Sequence, residues 1–230
     1  MKGKEKVTAI ILAAGNSVRF GTNTNKNFEI INGKSVLSYS LNAFNQNPYI
    51  DNIVIATKEN EKEIVKDIVN KESYTKNIQI VTGGNTRKES VYNCIKNLDS
   101  NIVIIHDGAR PLIKQEYINK CIESMNEFNG VTIGVKSKDT IKIADENNLV
   151  INTTKRDNTW LIQTPQCFNK EILLEMHKKY KNDDTTDDCA LLEKNNYKIK
   201  IIEGDYKNIK ITTLEDIKIV NEFINVSNKH

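Results

Sequence analysis

Five segments of the chain bring together residue types that could grip and activate phosphates. The first is Leu12-Ala13-Ala14-Gly15-Asn16-Ser17-Val18-Arg19-Phe20-Gly21, directly after an apolar run. Small residues at the end of a first parallel strand let backbone N–H groups approach a nucleotide closely. Arg19, with Lys26 seven residues on, would then set two cations over a polyphosphate. The bland alternative is a strand-to-helix turn with solvated charges. The loop lacks both the GxGxxG dinucleotide pattern and the GK[ST] of a P-loop. The second segment is Gly83-Gly84-Asn85-Thr86-Arg87-Lys88-Glu89-Ser90-Val91. Its glycines free the backbone, and Arg87 and Ser90 fall one helical turn apart. It could equally be a helix entry with Asn85 or Thr86 as N-cap. The third, His106-Asp107-Gly108-Ala109-Arg110-Pro111, ends the most apolar run of the chain. A carboxylate there lies at the crevice where α/β sheets bind ligands. Asp107 could accept from ribose hydroxyls or orient a metal-bound water while Arg110 grips an anion, or the two could pair to brace the turn. His106 reads as a packing or hydrogen-bonding residue.

The fourth segment, Lys155 to Gln166, holds Arg156, the sole Trp (Trp160, read as a core anchor), Thr164 and one of three prolines. The fifth, Asn208-Ile209-Lys210-Ile211-Thr212, reads as an apolar strand carrying a lysine. Lys210 either faces solvent or, if buried, needs an anion. The acidic run Asp183–Asp188 reads as a solvated first turn of a helix in preference to a metal site. No Ser-His-Asp arrangement and no cysteine beside a histidine is visible.

Composition singles out four of these residues independently. The chain has 29 Lys and only four Arg, alongside 32 Ile and 31 Asn. Against a general drift toward Lys, Ile and Asn, a retained Arg marks a place where a planar, bidentate fork is needed. Arg19, Arg87, Arg110 and Arg156 each lie inside one of the segments above. The net charge of +3 is too small and too interspersed for a nucleic-acid binder. No stretch reaches the roughly 18 apolar residues of a membrane span. Four dispersed cysteines without metal-type spacing point to reduced thiols and a cytoplasmic location.

The elements that must position these segments follow from alternating periods. Strands are expected at Val7–Leu12, Asn52–Thr57, Ile78–Val81, Ile102–His106 and Val131–Val135. Helices are expected at Ser35–Asn45, Glu59–Asn70, Arg87–Leu98 and Gln115–Glu127. This alternation predicts an α/β fold with a mainly parallel sheet covered on both faces. Past Val135 the pattern changes. Thr140–Ile143 alternates, 145–148 reads as a turn and Leu149–Thr154 returns, which makes a β-hairpin arm inserted at about 137–156. Such an arm is marginal alone and needs its own sheet or another subunit to pack on. Helices at Lys170–Tyr180 and Asp187–Asn195, a strand at Lys198–Ile202 and a helix near Leu214–Asn225 complete one expected domain over 1–230.

Taken in order, AAG…R…K, GGxxRxxSV, HDGARP, RxxxWxxQTPQ and NIKIT resemble the 2-C-methyl-D-erythritol 4-phosphate cytidylyltransferase family, over about residues 7–214. Ribitol-5-phosphate cytidylyltransferases share most of these motifs. Lys138–Lys142 together with Trp160 looks closer to the methylerythritol branch. The resemblance implies a Rossmann-like nucleotidyltransferase sheet, a homodimer interlocked through the arm, and Mg²⁺. It also implies a reaction of CTP with a polyol phosphate that gives a CDP-polyol and pyrophosphate. It places Ala13, Ala14, Gly15, Gly83 and Ser90 at the nucleotide and Asp107 at the ribose and the metal, directly or through water; Arg87 either joins the nucleotide contacts or braces their loop without touching substrate. Arg19 and Lys26 correspond to the catalytic phosphate-binding pair, assisted by Lys210. Arg110, Thr140, Arg156 and Thr164 correspond to polyol-phosphate contacts, with Thr140 and Arg156 donated by the partner's arm. Two departures stand out: Ser17 replaces a common Gly, and Asn25-Lys26-Asn27 replaces Pro-Lys-Gln. They leave open a further alternative, a nucleotide-binding protein that has lost turnover.

Overall fold

The computed structural model describes residues 5–15 and 25–227. Continuous β-branched runs form the middle of a seven-stranded sheet. Its strands are β1 (Val7–Leu12), β4 (Asn52–Thr57), β5 (Asn77–Thr82), β6 (Ile102–Asp107), β7 (Gly130–Lys136), β10 (Trp160–Asn169) and β11 (Ile199–Glu203), in the order β11-β7-β10-β6-β1-β4-β5. The short strands β2 (Ile30–Ile31) and β3 (Lys34–Ser35) pair with each other, as do β8 (Lys142–Ala144) and β9 (Val150–Thr153). All pairings in the large sheet are parallel except those of β10, which runs antiparallel to β6 and β7.

Helices α1 (Val36–Asn45), α2 (Lys62–Asn70), α3 (Arg87–Ile95), α4 (Gln115–Ser124), α5 (Lys170–Lys179), α6 (Cys189–Glu193) and α7 (Leu214–Ser227) surround it. Side chains alternate across a strand, so β1 feeds two cores. Val7, Ala9 and Ile11 pack with Leu37, Leu41, Phe44 and Ile118 on one face. Ile10 packs with Val91, Ile95, Leu173 and Leu191 on the other. The mainly parallel, doubly covered sheet expected from the sequence is what forms.

Several expectations need correction. No period assigns an element to 160–169, yet β10 spans it. Pro165 cannot donate to a ladder, and the pairing of β10 with β7 shifts register between Ile162 and Gln166, where that proline sits. Trp160 is half-buried beside Lys136 at the root of the arm, not a core anchor. Residues 208–212 join no strand. The expected helix at Asp187–Asn195 shortens to α6, whose N-cap position is Asp188; Asp187 lies before it and accepts from the Ala190 N–H at 3.1 Å. Ser35 precedes α1 as its N-cap, accepting from the Ser38 N–H at 3.1 Å. The arm forms as a hairpin whose strands pair only with each other.

Candidate active site

Parallel pairing brings four strand ends to one edge. Leu12 lies opposite both Ala56 and Asp107, and Thr57 lies opposite Thr82. Backbone bonds continue this register into the loops: Ala13 N–H to Ala56 O (2.8 Å), Gly108 N–H to Leu12 O (2.9 Å) and Gly83 N–H to Thr57 O (2.8 Å). The loops enclose a cavity of about 360 Å³ lined by Ala14, Gly15, Lys26, Asn27, Gly84, Asn85, Arg87, Ser90, Asp107 and Lys210, among others.

Gly83 must be glycine here because a Cβ would lie 2.7 Å from the Ala14 Cβ and 2.9 Å from Ser90 Oγ. Ser90 closes this loop. Its Oγ accepts the Gly84 N–H at 3.0 Å and donates to Thr86 O at 2.9 Å. Thr86 caps α3, accepting from the Glu89 N–H, while Glu89 Oε2 accepts the Asn85 N–H at 2.7 Å. Together these two bonds fix the helix entry.

Charge concentrates at Asp107. Its Oδ2 accepts from Lys210 Nζ at 2.9 Å and from Arg110 Nε at 3.3 Å. Burial alone would raise its pKa, but Lys210, Arg87 and Arg110 together hold it well below the usual carboxylate range. Lys210 reaches Asp107 because the Ile211 N–H bonds Ala109 O at 2.8 Å, docking the segment across the strand end. Behind the carboxylate runs a buried chain of hydrogen bonds. His106 Nε2 lies 3.0 Å from the Arg110 carbonyl, an acceptor only, so Nε2 carries the proton. Nδ1 therefore accepts from Thr164 Oγ1 (3.1 Å), which in turn accepts the Asp107 N–H (3.0 Å). Burial pushes the His106 pKa down to about 4, keeping the ring neutral.

Arg87 projects from the first turn of α3 and pairs with Asp188, which also accepts from His177 Nε2 at 2.9 Å. Asp188 and His177 side chains are each 1% exposed. Burial opposes ionisation of Asp188, but Arg87 and then His177 hold its pKa down. The acidic run is thus not a solvated turn. Asp187 accepts from Gln166 Nε2 (2.7 Å), Asp188 is buried, and Asp183 pairs with Lys194.

Of the residues singled out in the sequence, Ala14, Gly15, Lys26, Arg87, Ser90, Asp107 and Lys210 meet at the cavity, with Ala13 and Gly83 in the backbone behind it. Arg19 and Ser17 lie outside the described residues. Arg110 is half-buried beside Asp107, where Nη1 donates to Asn208 O at 2.9 Å, and Thr164 sits in the chain behind the same carboxylate. Thr140 and Arg156 are exposed at the two ends of the arm and do not line this chain's cavity. Sequence reasoning missed Asn27. Its Oδ1 would lie 2.8 Å from a Cβ on Gly108, so the glycine after Asp107 leaves room for Asn27 in this position.

The chain as a whole is similar to known proteins. Residues 7–226 fit the family model of 2-C-methyl-D-erythritol 4-phosphate cytidylyltransferase, IspD. A protein of that name from Caldanaerobacter subterraneus subsp. tengcongensis is 43% identical over 223 residues, 95% of this chain and 98% of its own. One from Fusobacterium nucleatum is 46% identical over 222 residues, covering 94% and 96%. The crystal structure of 4-diphosphocytidyl-2C-methyl-D-erythritol synthase from Anaerococcus prevotii superposes with a TM-score of 0.86 at 36% identity, covering 96% of this chain and 99% of the other. The chain belongs to the 2-C-methyl-D-erythritol 4-phosphate cytidylyltransferase family.

Proposed function

We propose that the cavity binds CTP and that the protein transfers its cytidylyl group to 2-C-methyl-D-erythritol 4-phosphate, releasing pyrophosphate in the supply of isoprenoid precursors. The observation that carries this reading is the set of charges around Asp107, with Lys26, Arg87 and Lys210 lining one cavity in a member of this family. A phosphate monoester has its second pKa near ~6 and is a dianion at pH 7, so it needs no general base. One of its oxygens attacks the α-phosphorus of CTP, a new P–O bond forms, and the bond to the bridging oxygen of the β-phosphate breaks. The electron pair leaves with pyrophosphate. The obstacle is like-charge approach, and Lys26, Lys210 and Arg19 counter it by positioning and charge stabilisation.

The nucleotide's base and ribose fit against Ala14, Gly15, Ser90 and Asp107. Lys210 and Arg110 both engage Asp107 Oδ2, which leaves Oδ1 for a ribose hydroxyl or a metal. Among the described residues no cluster of three or more His, Cys, Asp or Glu is placed to hold a metal. A single carboxylate whose pKa neighbouring cations hold low suits Mg²⁺, which keeps waters and binds mainly substrate phosphates. Asp107 would hold it, and it would neutralise triphosphate charge. The arm packs on a second copy of the chain, which brings Thr140 and Arg156 to the partner's polyol-phosphate side. Exposed Ile143, Leu149, Val150 and Ile151 support this dimer. Four free, buried cysteines support a reducing, cytoplasmic setting.

Pyrophosphate release with CTP and a panel of polyol phosphates tests the reading. Turnover with methylerythritol phosphate is expected. Turnover with ribitol 5-phosphate alone would move the protein to that relative's reaction, and CTP binding without product would mark a degraded enzyme.

A further inference from the structure

Lys26 opens a single turn of 3₁₀-helix over residues Lys26–Phe28, and its lead-in residue Asn25 is only 5% exposed. The Asn25 amide is fully engaged. Its Nδ2 donates to Ala13 O at 2.8 Å and to Glu61 Oε2 at 2.9 Å. Its Oδ1 accepts from the Asn27 N–H at 3.1 Å and from Asn27 Nδ2 at 2.9 Å. One side chain therefore ties the Lys26 turn to the end of β1 and to the loop after β4. Glu61 is itself anchored, beside Lys58 Nζ at 3.8 Å. The backbone φ of Asn25 is −74°, inside the range that a proline ring imposes covalently.

We infer that Asn25, braced by Glu61, is a positioning residue for Lys26: its hydrogen bonds hold the lead-in torsion that aims the ammonium into the triphosphate cavity. This rests on the reading of Lys26 as a phosphate-binding cation. An amide clasp and a pyrrolidine ring are two routes to the same constraint. The clasp restrains Lys26 through four contacts that neither touch the substrate nor change its charge. A displacement of about 1 Å at a catalytic group can cost on the order of 10²-fold in rate, so loosening the turn should be visible in kcat.

Steady-state pyrophosphate release from the full-length protein decides the matter, with thermal melts confirming that each variant is folded. Asn25→Ala should lower kcat about tenfold or more. Asn25→Pro loses the same four contacts but keeps φ near −65°, and should restore most of that loss. In a Lys26→Ala background, Asn25→Ala should change the residual rate by less than about twofold, since residues acting as a unit are non-additive. If Asn25→Ala does not fold, Glu61→Ala loosens the same clasp from its other end and should show the same dependence on Lys26. A wild-type rate in a folded Asn25→Ala, no rescue by proline, or an undiminished effect in the Lys26→Ala background would overturn the proposal. A wild-type rate in Lys26→Ala alone would instead overturn the reading of Lys26, and the proposal with it.

Discussion

The sheet edge and the arm solve opposite problems. At the edge, the groups around Asp107 find partners within one chain: Lys210 and Arg110 on the carboxylate, Thr164 on its backbone, His106 on Thr164. The arm satisfies its backbone through β8 and β9 and little else. Ile143, Leu149, Val150 and Ile151 stay 49–67% exposed. A lone two-stranded hairpin is marginal in water, and apolar side chains in such a row belong against another surface. The contrast teaches where each half of the site resides. The cavity edge is prebuilt by parallel register, whereas Thr140 and Arg156, which the proposed function assigns to the acceptor, are held away from this chain's own cavity.

The most damaging way to break this contrast is to remove the arm. Replacing 142–153 with a short turn should leave the sheet and the CTP end intact, as judged by melting and by CTP calorimetry, while turnover falls to background. Sedimentation should show a monomer, and an active monomer would sink the proposed exchange of Thr140 and Arg156. The next largest effect belongs to the prebuilt half. Lys210→Ala removes the closest cation on Asp107, and losing one well-placed electrostatic contact costs about 10²–10³-fold in kcat. The variant should remain dimeric, so rate and assembly separate cleanly between the two regions. A kcat within a few-fold of wild type would remove Lys210 from the mechanism.

How legible each half was follows from the range of the interactions. β1, β4 and β6 could be read because Val, Ile and Ala run continuously where both faces are covered. The hairpin could be read because a turn interrupts a period of two. β10 could not, since a proline inside a run argues against a central strand, and only the register shift opposite β7 admits it. Asp188 in its acidic run gave no sign of burial. Its partner Arg87 is 101 positions away, and no local pattern encodes such a pair. Asn25 stood out in the sequence only as a departure from proline before Lys26, because a side-chain clasp on Ala13 and Glu61 has no sequence signature. The motifs located the site; which of their residues face the cavity and which stand behind it was a matter of tertiary packing.

The smallest predicted effect sharpens the claim that the edge is prebuilt. His106 is fully buried and neutral, with its pKa pushed down to about 4 by burial, against ~6.5 in an unfolded chain. Between those values the unfolded state binds a proton that the folded state refuses, so stability is lost as pH falls from about 6.5 to 4. The size is about 3 kcal/mol for a shift of this magnitude. The carboxylates Asp107 and Asp188 are shifted down as well. Their contribution is present above the unfolded carboxylate pKa of ~4 and is lost only below it, so the two windows do not overlap. Urea unfolding from pH 7 to 4 should show the upper window in the wild type and lose most of it in His106→Gln. Gln can still donate to the Arg110 carbonyl and accept from Thr164, but it does not titrate. The arm-deleted protein should keep the full slope, because no part of the His106–Thr164–Asp107 chain lies in the arm. A slope that vanished with the arm would mean that the edge is built by the dimer and not by the sheet.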